Sequence, residues 1–187
     1  VDDAFDRANY IYLATGRNYP DALSAGPAAG VGGAAVVLID GSASSLDQET
    51  IDLIVRQNPY QIYLVGGPQA ISPSIEAQLR NLFTYPTGIE RFAGWDRYET
   101  SYLINQNAFS GHSDAAFTAV GTNFADALTG GVLAGAWQSP LYLTPSTCLM
   151  PVVPNFMLKH GSNLLVLLGG TAALSPAVEA GSLCSIV

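Results

Sequence analysis

The sequence predicts an α/β fold built from tandem repeats, each a small parallel sheet flanked by helices in the Rossmann-like manner, with the repeats packed together. Three observations predict it. Residues 11–26, IYLATGRNYPDALSAG, return as residues 116–131, AFTAVGTNFADALTGG, at an offset of 105 (Gly16 against Gly121, Asp21 against Asp126). Residues 64–77, LVGGPQAISPSIEA, return as residues 167–180, LLGGTAALSPAVEA, at an offset of 103, so the unit is about a hundred residues long. Short, continuously apolar runs alternate with helix-like segments throughout, the pattern of parallel strands buried on both faces and joined by helical crossovers.

Residues 10–14 make the first expected strand, an apolar run that meets a turn at Gly16. A helix over 21–30 follows, entered through Asn18-Tyr19-Pro20-Asp21. This is capping-box spacing, in which the Asn side chain accepts an amide hydrogen bond and the carboxylate three residues on reaches back. A strand over 35–39, a helix over 47–57 and a strand over 61–65 come next, the last closed by Gly66-Gly67. Ser72-Pro73 places a capping hydroxyl before a first-turn proline and opens a helix over 73–82, with Glu76 near the positive end of its dipole. Asp96-Arg97-Tyr98-Glu99 repeats the capping box ahead of a helix over 96–109. The second unit then runs through a strand over 115–120, a helix over 125–136 entered from Asn123 to Asp126, and strands over 140–143 and 164–168. Gly169-Gly170 closes the last strand, and Ser175-Pro176 with Glu179 opens a helix over 176–183. With two or three strands per repeat, neither unit makes a sheet of comfortable width alone, so the units are expected to pack against each other.

Composition narrows the function. The 187 residues are 49% hydrophobic, which is ample for a core, and only 12% charged, with a net charge of −8 carried against six arginines and one lysine. No basic stripe exists for nucleic acid. The uncharged stretch between Asp126 and Lys159 is broken by Pro140, Pro145, Pro151 and Pro154 into pieces too short to span a membrane. Val1 stands beside Asp2 and Asp3, which does not read as a basic-then-apolar leader. RFAGWDRYETS, residues 91–101, introduces the second unit, yet its counterpart in the first would precede residue 1. Asp3-Ala4-Phe5 already aligns with Asn107-Ala108-Phe109, late in the helix, so further protein is expected upstream.

Polar positions that recur in both units suggest multivalent binding, because enzymes concentrate their chemistry in one asymmetric site. Asn18, Asp21, Asn123 and Asp126 are accounted for as helix starts; the same strand ends also offer amides to an anion, with Asn18 and Asn123 as direct contacts. Gly66, Gly67, Gly169 and Gly170 stand where α/β sheets bind ligands, but tight turns with close helix-to-strand packing are the better explanation of them. Gly30-Val31-Gly32-Gly33 follows a helix, and no Lys-Ser or Lys-Thr comes after it, so it is no phosphate loop. His112 and His160 sit in turn-like contexts without repeated counterparts, and one repeated carboxylate per unit is too few for a metal cage. Arg17 follows the first strand; Arg91 and Arg97 flank Trp95 ahead of Tyr98. A guanidinium clamps phosphate or carboxylate in bidentate fashion, and Trp95 and Tyr98 can stack on sugar rings. Arg97 can equally tie the units together through an acidic neighbour.

RFAGWDRYETS, then AVGTNFADALTGG, PLYLTP and LLGGTAALSPAVEA, resemble the cell wall binding repeat 2 family of Gram-positive surface proteins, twice over and across nearly the whole chain. The resemblance implies repeats normally arranged in threes. It divides the chain into a first repeat at 1–90, incomplete at its N-terminus, and a terminal repeat of actinobacterial kind at 91–187. It implies a non-catalytic module, without cofactor or metal, that anchors a secreted protein to the cell wall or cell surface. The expected partner is an anionic wall polymer, teichoic-acid-like or a secondary polysaccharide, held by Arg91, Arg97, Tyr98, Arg17, Asn18 and Asn123. Packing with upstream repeats, or with a second copy, is the other expected contact. Cys148 and Cys184 fit the terminal placement, and a bridge between them would add roughly 4 kcal/mol on the chain-entropy description. The second repeat departs in carrying Thr122 where the first has Arg17. A nucleotide-binding or hydrolytic α/β domain acting at the paired glycines, or an adhesin or scaffold presenting an upstream domain, are the alternatives.

Overall fold

The structure, a computed structural model, describes residues 7–84 and 86–185. The helical counterpart expected at residues 3–5 lies outside them. Two parallel sheets form. The first unit runs β1 (Tyr10–Thr15), α1 (Pro20–Gly32), β2 (Ala35–Ile39), α2 (Gln48–Gln57), β3 (Gln61–Val65), α3 (Pro73–Leu82) and β4 (Gly88–Phe92). The second runs α4 (Arg97–Ala108), β5 (Ala115–Val120), α5 (Ala125–Ala136), β6 (Leu141–Thr144), α6 (Val152–His160), β7 (Leu164–Leu168) and α7 (Pro176–Glu179). Strand order is β2-β1-β3-β4 in one sheet and β6-β5-β7 in the other.

Burial is uneven across the sheets. The middle strands β1 and β5 are buried almost throughout and the edge strand β6 throughout, whereas β3 keeps two half-exposed positions and β2, β4 and β7 at the margins keep half-exposed or exposed ones. The expectation of burial on both faces therefore holds for β1, β5 and β6 and fails at β2, β4 and β7. β4 escaped the sequence reading because GIERF begins with glycine and carries two charges, yet it pairs with β3 from Gln61↔Gly88 to Val65↔Phe92. The expected boundary between residues 90 and 91 falls inside it. α6 was missed because Pro151 and Pro154 read as breakers. Pro151 is its N-cap and Pro154 stands in its first turn, where no intrahelical amide is lost.

The units share one core. Tyr12, Ala28, Val65 and Phe92 of the first unit cluster with Ile104, Val120, Tyr142 and Phe156 of the second. Helices α1 and α5 meet through equivalent glycines, since a Cβ on Gly30 would lie 3.4 Å from the Gly135 Cα. Their starts also touch: Tyr19 and Phe124, equivalent in the repeat, have ring centroids 5.4 Å apart, and the Tyr19 hydroxyl donates to the Thr122 carbonyl at 2.8 Å. α4 covers the edge of β6, where the Ser101 hydroxyl accepts from Leu143 N at 3.0 Å and Asn105 Nδ2 donates to the Leu141 carbonyl at 2.8 Å. Those contacts satisfy an edge strand from the side without adding a strand.

Beyond α7 the chain turns at Gly181 (φ +72°), so the helix expected to reach 183 stops at Glu179. Residues 182–184 instead pair with the loop after β6, through Leu149 N to the Ser182 carbonyl and Cys184 N to the Leu149 carbonyl. A disulfide joins Cys148 to Cys184, with Cα atoms 4.9 Å apart. No helix among the described residues is long and apolar enough to cross a membrane.

Candidate functional site

In the first sheet, β2 lies on one side of β1 and β3 on the other, so the crossovers part company between β1 and β3. That is the switch point at which open α/β sheets hold ligands. A cleft of about 470 Å³ opens there, at the carboxyl ends of both strands. Arg17, Asn18 and Asp21 line it from the β1 side, Gly67 to Ala70 from the β3 side, and Gly94 to Arg97 form its far wall. It is thus built from the body of the first unit and the entry to the second.

The cations of the cleft are oriented by protein acceptors and keep donors to spare. Arg17 Nε and Nη2 donate to the two Asp40 carboxylate oxygens at 2.8 and 2.7 Å. That guanidinium and the Ser42 hydroxyl hold the Asp40 carboxyl down at about 2. Arg97 Nη1 donates to the Gly121 carbonyl at 2.6 Å. Each guanidinium carries five N–H donors, so both retain several for a ligand.

Asp21 is the unusual acid. Burial pushes its carboxyl above the usual range, and the nearby Arg97 only partly offsets this. It does not complete the capping box: α1 is capped by Tyr19, and α5 by Phe124, neither with a side-chain hydrogen bond. Asn123 Oδ1 instead accepts from Ala125 N at 3.3 Å. The proline at the head of α1 fixes the first turn, and the Asp carboxylates reach across to the strand ends. A Cβ on Gly66 would stand 2.5 Å from Asp21 Oδ2, and one on Gly169 would stand 2.6 Å from Asp126 Oδ2. Those glycines have φ near +111° and +113°, so both backbone conformation and the neighbouring acid exclude a side chain.

The sequence pattern of the cell wall binding domain 2 (CWB2) family matches residues 2–76 and 91–179. The chain belongs to the CWB2 family. N-acetylmuramoyl-L-alanine amidase LytC of Bacillus subtilis (strain 168) is 26% identical over 174 residues, covering 93% of this chain and 34% of that protein. An amidase enhancer of the same organism is 25% identical over 177 residues, covering 94% and 23%. The chain therefore spans about a third or less of these relatives. Cwp8 from Clostridium difficile shares the fold with a TM-score of 0.82 and 26% identity over 95% of this chain and 30% of its own. Cwp6 from the same organism has a TM-score of 0.80, at 22% identity over 92% and 27%. As a CWB2 protein the chain is a cell wall binding module of the cell surface or wall.

Within this CWB2 module the expected contacts are not all together. Arg17, Asn18 and Arg97 share the cleft with Asp21 and Gly67. Arg91 does not reach it: the side chain is 13% exposed, Nε donates to Glu76 Oε2 and Nη1 to the Gly66 carbonyl, both at 2.8 Å. Its guanidinium faces α3 because alternation along β4 sends Arg91 to that side. Asn123 is exposed at the corresponding place in the second unit, and Tyr98 packs over Gly121 outside the cleft. Neither histidine lies near. His112 bonds to the His160 carbonyl and to Asp114, which hold its imidazole pKa above the ordinary value, before β5 begins. Sequence reasoning missed Ser42, Gln69 and Ala70 as wall residues, since they become neighbours only once β1 and β3 pair.

Proposed function

We propose that this module binds an anionic cell-wall polymer, without catalysis, in the cleft between the β1 and β3 ends and the entry to α4. The observation that supports it is the convergence of Arg17 and Arg97 on one groove at the sheet's switch point, beside the uncapped start of α1. Asn18 adds an amide for ligand oxygens, and Asp21 takes a donor from the ligand or tunes Arg97. Arg91 serves β4 and α3. Because the net charge of −8 repels a polyanion at long range, each site is weak and affinity accrues from several repeats.

The apolar groove beside the α1 and α5 contact is the proposed seat of a third unit, from upstream repeats or a second copy. Leu128 and Val132 are exposed along it, next to the same small-residue surface that joins α1 to α5. Co-sedimentation with Gram-positive walls, before and after extraction of their anionic polymers and across a salt series, tests the polymer assignment. Binding that is lost on extraction and weakened by salt is expected. Undiminished binding to stripped walls, or a nucleotide that raises the melting temperature, would count against it.

A further inference from the structure

Trp95 is 98% exposed, an extreme for a side chain with so much apolar surface. It is not carried on a loose loop. Gly94 N donates to Thr100 Oγ1 at 3.1 Å, Trp95 N to Glu99 Oε2 at 2.5 Å, and Asp96 Oδ1 accepts from Tyr98 N and Glu99 N, each at 2.9 Å. The backbone is pinned on both sides of an indole that touches solvent, an arrangement in which the ordering cost of a contact has been met before any ligand arrives.

Two cavities meet at this residue. One is the arginine cleft. The other, about 670 Å³, lies on the far side of Trp95 and Asp96, against Tyr98, Tyr102, Pro145 and the Cys148–Cys184 bridge. Its outer wall is also fixed: Thr144 Oγ1 donates to the Cys148 carbonyl at 2.7 Å and accepts from Met150 N at 2.9 Å, and the disulfide ties that loop to the chain after α7. The two cavities differ in charge. The first sets Arg17 and Arg97 beside the carboxylates of Asp21 and Asp96, whereas the second has only the carboxylates of Asp96 and Glu99 and no lysine or arginine. An anion is repelled there. Aromatic faces and proline edges with carboxylate acceptors at the rim suit a sugar ring, whose C–H face stacks on the aromatic surface while its hydroxyls donate to the acids.

We propose that this second cavity is a neutral-sugar subsite of the binding path, with a pyranose ring stacked on Trp95 and Tyr102 at its rim, continuous with the arginine cleft over the Trp95 ridge. The continuity, though not the sugar chemistry, rests on reading the arginine cleft as the polymer site. A polymer that alternates anionic groups and sugar rings then places one kind of unit on each side of the indole.

The test uses isolated Gram-positive walls as the probe, with binding of wild type, Trp95→Ala and Arg97→Gln measured across a salt series. Trp95→Ala is expected to fold normally by circular dichroism, to lose roughly tenfold in affinity and to keep the wild-type salt dependence, because the arginines are intact. Arg97→Gln is expected to lose affinity and flatten the salt dependence. Wild-type affinity in Trp95→Ala overturns the subsite, and so does a loss accompanied by a flattened salt slope, which would mean that the indole acts only through the arginines. If Arg97→Gln and Arg17→Gln leave binding unchanged while Trp95→Ala weakens it, the arginine reading fails and the sugar subsite stands. In a Trp137→Phe background Trp95 is the only indole, and its emission should move with soluble wall glycan but not with choline. A response to choline in place of glycan would make the cavity a cation cage and overturn the assignment.

Discussion

Arg17 and Arg97 look alike in the sequence and differ in what they hold. Arg17 is engaged by Asp40 on an exposed rim, so Arg17→Ala should lower the melting temperature only slightly, through the loss of that pair, and lower wall affinity. Because Asp40 ionises at about 2 in the folded chain, below its usual value, its contribution to stability is present at neutral pH and is lost only as pH falls through that value. Carboxyl NMR should show the low transition and its return toward the ordinary range in Arg17→Ala. Asp21 has the opposite sign. Its folded pKa is raised, chiefly by burial, so stability is lost as pH rises from the unfolded carboxylate value through the higher folded one. Asp21→Asn is therefore expected to raise the melting temperature at pH 7 and to leave it unaltered at pH 3, while binding weakens. Asp21 lines the cleft beside Arg97, the cation that partly offsets its burial. Its presence was legible from the repeat, but its role was not, because capping-box spacing gives the same letters whether the carboxylate turns back to the helix or across to Gly66.

The strands and helices show where local patterns suffice. β1, β2, β3, β5 and β7 were readable as apolar runs, and α3 and α4 from the Ser72 and Asp96 caps, both of which form hydrogen bonds as expected. β4 and α6 were hidden because their identity is decided by neighbours: one needs β3 to pair with, and the other tolerates prolines only at its start. The cleft was half legible for the same reason. Residues following each strand could be named, but not which strand ends adjoin. Two substitutions probe these joints. Gly66→Ala should cost about 1–3 kcal/mol in urea unfolding, since the positive φ and the Asp21 carboxylate both oppose a methyl group. Asn105→Ala should cost about 1 kcal/mol, by removing the shorter of the two hydrogen bonds to the buried Leu141 carbonyl at the β6 edge and leaving it the Ser101 hydroxyl at 3.3 Å.

Assembled, the module depends on contacts between units as much as within them, because the largest shared cluster draws on both sheets. Val132, 76% exposed on α5, should therefore tell whether a further unit docks there: Val132→Lys is expected to abolish any concentration-dependent association seen by sedimentation velocity without changing the far-ultraviolet spectrum. Reducing Cys148–Cys184 should lower stability by roughly 4 kcal/mol on the chain-entropy description and loosen the segment after α7. The cleft's near wall comes from one unit and its far wall, Gly94 to Arg97, from the entry to the next, while in the second unit the matching near wall of Thr122, Asn123 and Gly170 stands exposed. Complete clefts therefore belong to junctions, not to repeats. An open row of n units has n − 1 of them and a closed ring has n, so closing the ring adds a whole cleft without adding a residue.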